Sequence, residues 1–281
     1  MAKAFRNRLF VTGIAATALL CMMALFGRAL CPNDPLAVDF QSTLAPMGGR
    51  FPLGTDNLGR CVLSRLLTGA RATLGSALAV EAFIFMLGLL VGVISGYFGG
   101  VADGAATVAI DTLLAFPSMI LALVIAGLLG PGLKNLIIAM CCVHWVGHAR
   151  VARNLARSVR SRTFVLASRA AGSGHMKIIF RRVLPHILPQ MIMYSALNIS
   201  SVIIGISSMS FIGLGVRPPE PEWGAILYEA RAYMDTNPTM MVTAMVCILL
   251  AVAGFQCIGE SLRDILSVRA GKLGTEKRRS Q

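Results

Sequence analysis

The sequence predicts an all-α protein that crosses a membrane six times, and three observations lead to this prediction. Hydrophobic residues make up 56% of the 281-residue chain, charged residues only 14%, and the mean hydropathy is +0.71. This composition is too apolar for an ordinary soluble domain of that length. Several apolar runs approach the roughly 20 residues that a helix needs to cross a bilayer. Finally, Lys and Arg residues are concentrated in alternate segments between these runs.

The first apolar run follows the basic residues Lys3, Arg6 and Arg8. It is too long for a signal peptide and lacks a small-x-small cleavage site, so we interpret it as a retained signal anchor. The predicted spans are residues 9–30, 73–96, 105–129, 133–150, 187–214 and 240–259. They divide the chain into an N-terminal tail with the first helix (1–30), a periplasmic connection (31–72), a core transmembrane domain (73–265) that includes a cytoplasmic loop (150–186), and a basic cytoplasmic tail (266–281).

The distribution of positive charge predicts the orientation. If the N-terminus is cytoplasmic, 18 of the 26 Lys and Arg residues lie on the cytoplasmic side and 8 on the opposite side. This asymmetry follows the positive-inside rule and places both termini in the cytoplasm. Membrane insertion therefore accounts for the net charge of +13, and no nucleic acid partner is needed.

The periplasmic connection contains four prolines, which argue against a continuous helix before residue 52. Residues 57–73 have the pattern of a short amphipathic helix, which we expect to lie along the membrane surface. Cys31 and Cys61 both lie in this connection, where an oxidising periplasm would permit a disulfide, although their proximity cannot be read from the sequence.

The cytoplasmic loop is rich in arginine. Arg150, Arg153, Arg157 and Arg160 recur at intervals of three and four residues, so a helix would gather them into one stripe. This stripe either sets the topology and faces lipid headgroups or binds a specific partner. Further along, small residues at 167–171, a turn at Gly172 and a helix over 178–183 predict a short helix lying across the cytoplasmic ends of the bundle.

Glu81 and Asp111 are the acidic residues within the predicted spans. A charge in lipid is costly, so each needs a partner or water, and both are candidates for lining a translocation pathway. For Asp111 we favour a structural partner on another helix. His144 and His148 lie one helical turn apart and could share a metal ion, but we favour rings that lie at the membrane interface.

The chain has no phosphate-binding loop of the form G-x-x-x-x-G-K-[ST]. Its Gly-Lys pair, Gly271-Lys272, is followed by Leu273 and lacks the upstream glycine. We therefore expect a non-catalytic subunit, with any ATP hydrolysis carried out by another polypeptide.

Four ordered blocks resemble the permeases of peptide and nickel ABC importers. They are FPLGTDNLGR at 51–60 with VLSRLLTGAR at 62–71, FVLASRAAG at 164–172 with IIFRRVLP at 178–185, SFIGLGVRPPEPEWG at 210–224, and GESLRD at 259–264. The family pattern has Glu where this chain has Leu166. The order of residues in 164–175, with His144-Trp145 and the segment 222–233, is most similar to nickel permease C-type subunits.

The resemblance implies an ABC type I importer permease in the bacterial inner membrane, with half of the pathway supplied by this chain and half by a second permease. It also implies two ATP-binding subunits, which would use ATP and magnesium, and a periplasmic solute-binding protein, while this subunit binds no cofactor. Residues implied in coupling to the ATPases are Ala167, Ser168, Arg169, Ala170, Ala171, Gly172, Ser173, Lys177, Arg181 and Pro185. Implied binding-protein contacts are Arg217, Glu220, Glu222 and Trp223.

Nickel, free or chelated, is the cargo that the resemblance favours, with dipeptides or oligopeptides as the alternative. Two other classes remain open on the residues alone. An ion-driven secondary transporter would require repeated broken helices with residues that bind the coupling ion, and a membrane enzyme or channel would require a convergent polar set.

Overall fold

A computed structural model of the protein describes residues 8–279, with side chains from 11 to 264. Residues 1–7 and 280–281, which include Lys3 and Arg6 and the end of the predicted basic tail, lie outside the described residues. In the part of the chain that is described, the regular structure is helical apart from one isolated β-bridge between Thr55 and Cys61. The all-α prediction is therefore confirmed.

Ten α-helices follow one another in the described residues, with a π-helical turn at Ile179–Val183 and 3₁₀ turns at Phe40–Ser42 and Arg231–Tyr233. The α-helices are α1 (Arg8–Leu30), α2 (Val62–Phe98), α3 (Gly100–Leu114), α4 (Ser118–Leu129), α5 (Leu133–Arg160), α6 (Thr163–Ala170), α7 (His175–Ile178), α8 (Leu184–Phe211), α9 (Trp223–Ala230) and α10 (Pro238–Arg279).

Five of the described helical segments are long and apolar enough to cross a membrane, and α3 with α4 makes a sixth if the bent pair counts as one span. This agrees with the predicted six. The third span differs from the prediction, because the helix expected to run unbroken over 105–129 bends by 84° between α3 and α4. Pro117 is the physical cause, since it lacks an N–H and its ring disfavours a helical conformation in the preceding residue.

The separate surface helix expected over residues 57–73 is wrong. Helix α2 begins at Val62 and continues without a break to Phe98, so this segment is the outer end of a span. The amphipathic pattern misled the prediction because Arg60 and Arg65, at 2% and 1% exposure, are buried among carboxylates and do not face solvent.

The cytoplasmic loop is more helical than expected. Helix α5 continues ten residues beyond the predicted end of its span, to Arg160. Helices α7 and α8 with the π-helical turn between them run on from His175 to Phe211, so Pro185 lies in the first turn of α8 and does not mark a separate entry into the membrane. This proline comes just after the π-helical turn, where the regular pattern of helix hydrogen bonds is already interrupted, and its missing N–H is accommodated there.

Helices α2, α5 and α8 form the centre of the bundle, with the buried side chains of Val80, Ile84, Met140, Val143 and Ile203 in one apolar cluster. Close approach of α2 to α5 depends on glycine. A Cβ atom at Gly88, Gly92 or Gly96 would collide with the backbone or Cβ atoms of α5. Small residues allow membrane helices to pack this closely.

The two cysteines of the periplasmic connection are free thiols, so the disulfide that the sequence permits is not formed. The thiol of Cys31 lies 3.0 Å from the carbonyl oxygen of Gly27. Burial raises the pKa of this thiol above its ordinary value.

Candidate functional site

The outer end of the bundle is held by an ion network of Asp56, Arg60, Arg65 and Glu229. Arg60 Nε donates to Asp56 Oδ2 at 2.6 Å, and its Nη2 donates to Glu229 Oε2 at 2.7 Å. Arg65 Nη1 donates to the same two carboxylate oxygens at 2.5 and 2.6 Å. Two cations and two anions balance, which is what allows them to be buried. The network ties the segment 51–60 to helix α9.

Glu222 and Trp223, implied as contacts for a binding protein, are both fully buried. The Glu222 carboxylate accepts hydrogen bonds from the backbone N–H of Gly224 and Ala225 and from Thr73 Oγ1, and so caps α9. The Trp223 indole N–H donates to the carbonyl oxygen of Leu66 at 2.9 Å. Neither side chain is available to a partner, so this implied role is wrong for both residues, which instead anchor α9 to α2.

The other two residues implied as binding-protein contacts are exposed, unlike Glu222 and Trp223. Arg217 and Glu220 are exposed on the loop between α8 and α9. They are therefore placed where a protein on the periplasmic side could reach them.

A polar cluster lies inside the bundle around Glu81 of α2. His148 Nε2 of α5 lies 2.9 Å from Glu81 Oε1, and Asn198 Nδ2 of α8 donates to Glu81 Oε2 at 2.9 Å. The Ser195 hydroxyl of α8 donates to the same carboxylate. Three helices thus converge on one carboxylate that is 7% exposed and lies near the middle of α2. Such a cluster satisfies a charge that lipid alone would not tolerate.

His144 and His148 of α5 differ in burial and in hydrogen bonding. His148 is fully buried, so its expected position at the membrane interface is wrong; the ring bonds Glu81 and packs edge-on against Tyr194, with ring centroids 4.8 Å apart. His144 is half-buried, and its Nε2 atom has no hydrogen-bond partner. Among the described residues no group of three or more His, Cys, Asp or Glu side chains is placed to hold a metal ion.

Two arginines of the basic stripe of α5 are paired with acids of α3. Arg150 Nη2 donates to Asp111 Oδ1 at 2.7 Å, with both side chains about half exposed. Arg153 forms a two-pronged pair with Asp103, at 2.5 and 3.1 Å. The structure therefore places Asp111 in an interhelical ion pair, apart from the Glu81 cluster.

The segment implied in ATPase coupling forms a largely exposed edge, residues 167–172, at the other end of the bundle. The chain turns at Gly172, which has φ +76°, a conformation that side chains with a Cβ disfavour. Before this turn, Ala167, Arg169 and Ala171 are exposed. Next to it lies a groove with a volume of 720 Å³, lined by Ser168, Ser173, Lys177, Ile178, Phe180, Arg181, Arg182 and Pro185. This lining contains three cations and no acidic residue, so the groove favours an acidic partner.

The coupling segment rests on the ends of the central helices. Val165 of α6 and Val183 of the π-helical turn are fully buried in a cluster with Val93 and Tyr97 of α2 and Val159 of α5. A force applied to this segment therefore reaches α2 and α5 through close-packed side chains, which transmit strain well.

Two histidine contacts on this edge were not anticipated in detail from the sequence. The Tyr97 hydroxyl lies 3.1 Å from His175 Nδ1, which links α2 to the start of α7. His186 stacks on Phe164, with centroids 4.5 Å apart. Similarly, Ser195 and Asn198 are polar residues three positions apart in a predicted span, so they share one helix face, and this signal could have identified them as partners of Glu81.

Comparison with known proteins identifies the family. Residues 88–271 match the family model described as "Binding-protein-dependent transport system inner membrane component". Among curated proteins, the chain is 38% identical over 249 residues to the nickel transport system permease protein NikC of Escherichia coli K12, covering 89% of this chain and 90% of that protein. It is 36% identical over 266 residues to the di/tripeptide transport system permease protein DppC of Pseudomonas aeruginosa, covering 92% and 88%.

A third relative is the probable D,D-dipeptide transport system permease protein DdpC of E. coli K12, at 34% identity over 263 residues, or 94% of this chain and 88% of the relative. In a solved structure of the MetNI methionine ABC transporter in an inward-facing conformation, one chain matches with a TM-score of 0.54 at 24% identity, covering 71% of this chain and 95% of that one. The fold is therefore that of an ABC importer permease. The chain belongs to the inner membrane component family of binding-protein-dependent transport systems, and it is a permease subunit of an ABC importer in the bacterial inner membrane.

Proposed function

We propose that this subunit translocates nickel, free or chelated, which a periplasmic binding protein delivers. The observation that supports nickel is the 38% identity to the nickel permease, compared with 36% and 34% for the two peptide permeases described above. Dipeptides or oligopeptides are the second candidate cargo, supported by the coverage of 92% and 94% of the chain by those peptide permeases.

The assembly in this proposal has one copy of this chain, a second homologous permease and two ATP-binding subunits. The subunit itself performs no covalent chemistry. ATP binding brings the two ATP-binding subunits together, and their movement displaces the exposed edge around Gly172. The two permeases then pass from a state open to the cytoplasm to one open to the periplasm, where cargo enters.

The coupling segment supports this mechanism by its shape and charge. Small exposed side chains at Ala167 and Ala171 allow close seating on a partner, and Lys177 and Arg181 offer cations to acidic residues there. Because the buried face of the same segment packs on α2 and α5, movement of the edge moves the centre of the bundle.

Within the pathway, Glu81 is the candidate contact for a cationic cargo. Its carboxylate lies near the middle of α2 with a small exposed fraction, and its donors on α5 and α8 are side chains that can rotate. A pathway site has to bind weakly enough to release what it binds, and an acid already shared among three donors meets that condition.

Uptake measurements distinguish the two cargoes. A strain that lacks this subunit is compared with the same strain carrying it on a plasmid, using radiolabelled nickel in one arm and a labelled dipeptide in the other. We expect nickel uptake to depend on the subunit and dipeptide uptake to be independent of it. Unchanged nickel uptake with lost dipeptide uptake would reverse the assignment in favour of peptides.

A further inference from the structure

A groove runs down the outer half of the bundle between α1 and α2. Its upper part has a volume of 370 Å³ and is lined at the periplasmic end by residues that include Arg28, Thr68 and Arg71. Its lower part has a similar volume of 370 Å³ and continues between the same two helices. The two parts share Ala24, Leu25 and Arg71, so they form one continuous depression.

The groove exists because α1 and α2 touch at one level and separate below it. At Gly27 the helices are in contact, since a Cβ atom there would collide with the carbonyl group of Leu67. Two turns further down α2, a Cβ atom at Gly75 would meet nothing within 4 Å. Gly75 therefore borders open space, and the missing side chain helps to keep the groove open.

The two ends of the groove differ in chemistry. The upper end is lined by four exposed charged residues, Arg28, Asp34, Arg71 and Glu220. None of these four forms a salt bridge within 4.0 Å to another described residue. The lower end is mainly apolar and is lined by Thr17, Leu20, Cys21, Ala24, Leu25, Arg71, Leu74, Gly75, Leu78 and Phe255.

The dimensions match one leaflet of a bilayer. On α1 the groove extends from Arg28 to Thr17, and these eleven residues span about 16 Å at 1.5 Å per residue. Half of the hydrocarbon core of a bilayer is about 15 Å thick. The polar end lies where α1 leaves the membrane towards the periplasmic connection, so the groove covers the depth of the periplasmic leaflet.

We infer that this groove binds a phospholipid of the periplasmic leaflet with a zwitterionic headgroup, namely phosphatidylethanolamine. The phosphate lies near Arg28 and Arg71, whose guanidinium groups suit phosphate. The ammonium group is attracted by Asp34 and Glu220. One acyl chain lies in the lower groove against Leu74 and over Gly75. Two cations and two anions that form no salt bridge to a described residue lie at one opening and complement a headgroup that carries one charge of each sign, whereas an anionic headgroup would leave both acids without a cation.

Native mass spectrometry of the detergent-extracted importer, with its partner subunits, tests the inference. The complex is exposed to equal amounts of phosphatidylethanolamine and phosphatidylglycerol, and the retained lipid is counted. We expect at least a tenfold preference for phosphatidylethanolamine. The double substitution Arg28→Gln and Arg71→Gln should reduce its retention at least tenfold because the phosphate loses both cations.

Gly75→Leu is the sharper variant, because its side chain enters space that no protein atom occupies and so fills the groove without disturbing the packing. It should abolish retention of the lipid while the complex stays assembled. Gly104→Leu is its matched control, since a Cβ at Gly104 also meets nothing within 4 Å but lies on α3, away from the groove. We expect this control to retain the lipid as the wild type does.

Three outcomes would overturn the inference. The wild-type importer could retain phosphatidylglycerol as well as phosphatidylethanolamine, which would exclude the zwitterion. Gly75→Leu and the double arginine variant could retain the lipid at the wild-type level, which would place the lipid elsewhere. The wild-type complex could retain no more lipid than Gly75→Leu does, which would mean that the groove holds no lipid, for example because the second permease covers it. The test is independent of the cargo and of nickel uptake.

Discussion

Replacing Arg65 with Met should loosen the outer end of the bundle. The Arg65 side chain is 1% exposed and donates three hydrogen bonds, to Asp56 Oδ2 at 2.5 Å and to Glu229 at 2.6 and 3.1 Å. Methionine approximates its length but donates nothing. Asp56 and Glu229 would then share Arg60 alone, and one negative charge would stay buried without compensation.

The magnitude follows from this uncompensated charge. Removing one partner of a buried ion pair costs about 3–5 kcal/mol. At about 1.4 kcal/mol per factor of ten, local opening of this end should become roughly a hundred to a few thousand times more frequent. Arg50→Met is the matched control, because Arg50 lies 3.9 Å from Asp39 with 74% of its side chain exposed. An exposed pair contributes about 0–1 kcal/mol, which corresponds to at most about a fivefold change.

Cys61 reports the opening, since it is 1% exposed and directly follows Arg60. In a Cys31→Ser background, its alkylation by a membrane-impermeant maleimide should track the population of the open state. We expect the rate to rise at least a hundredfold in Arg65→Met and at most fivefold in Arg50→Met. If both variants react at the wild-type rate, or if both accelerate equally, the ion network does not hold this end closed.

Three further predictions concern the pathway, the coupling edge and the α9 anchor. Glu81→Gln should lower cargo uptake at least tenfold at unchanged expression, because the cargo loses an anionic contact, whereas Asp111→Asn should lower it less than threefold; equal effects would contradict a pathway role for Glu81. A cysteine-directed crosslinker attached through Ala171→Cys should capture an ATP-hydrolysing subunit, and one at the buried position Val165 should not; capture at neither position would argue against coupling through this edge. Because burial raises the pKa of Glu222 above its usual 4.5, the folded protein binds this proton more tightly than the unfolded chain, so stability should fall as pH rises from about 4.5 through the raised pKa. The unfolding temperature should therefore drop less over this range in Glu222→Gln than in the wild type, and identical slopes would refute the assignment.

The sequence predicted the features that depend on local patterns. Six apolar runs were recognisable because lipid demands about 20 apolar residues per helix. The turn at Gly172 was recognisable because a glycine between two helical runs permits a positive φ, which the structure shows as +76°. The bend before α4 carried a local signal too, since Pro117 was visible, but the predicted span was drawn through it.

Contacts between distant segments could not be predicted in the same way. Arg60 and Arg65 meet Glu229 more than 160 positions later in the chain, so their alternation with apolar residues was interpreted as a solvent-facing pattern. His148 was placed at an interface because the sequence does not show that Glu81 lies opposite it. Burial of Glu222 and Trp223 likewise depends on packing against Thr73 and Leu66.

The glycine contacts between α2 and α5 constrain how the transporter can open. Gly88, Gly92 and Gly96 let the two backbones lie in close contact over more than two turns, so a sliding or tilting movement of one helix against the other would bring backbone atoms into collision. Helices α2 and α5 are therefore expected to move together as one rigid unit. At the bend between α3 and α4 the described backbone hydrogen bonds are local, as from the Ala115 N–H to Asp111 and from the Ile120 N–H to Pro117, so this bend can flex while α2 and α5 move as a unit.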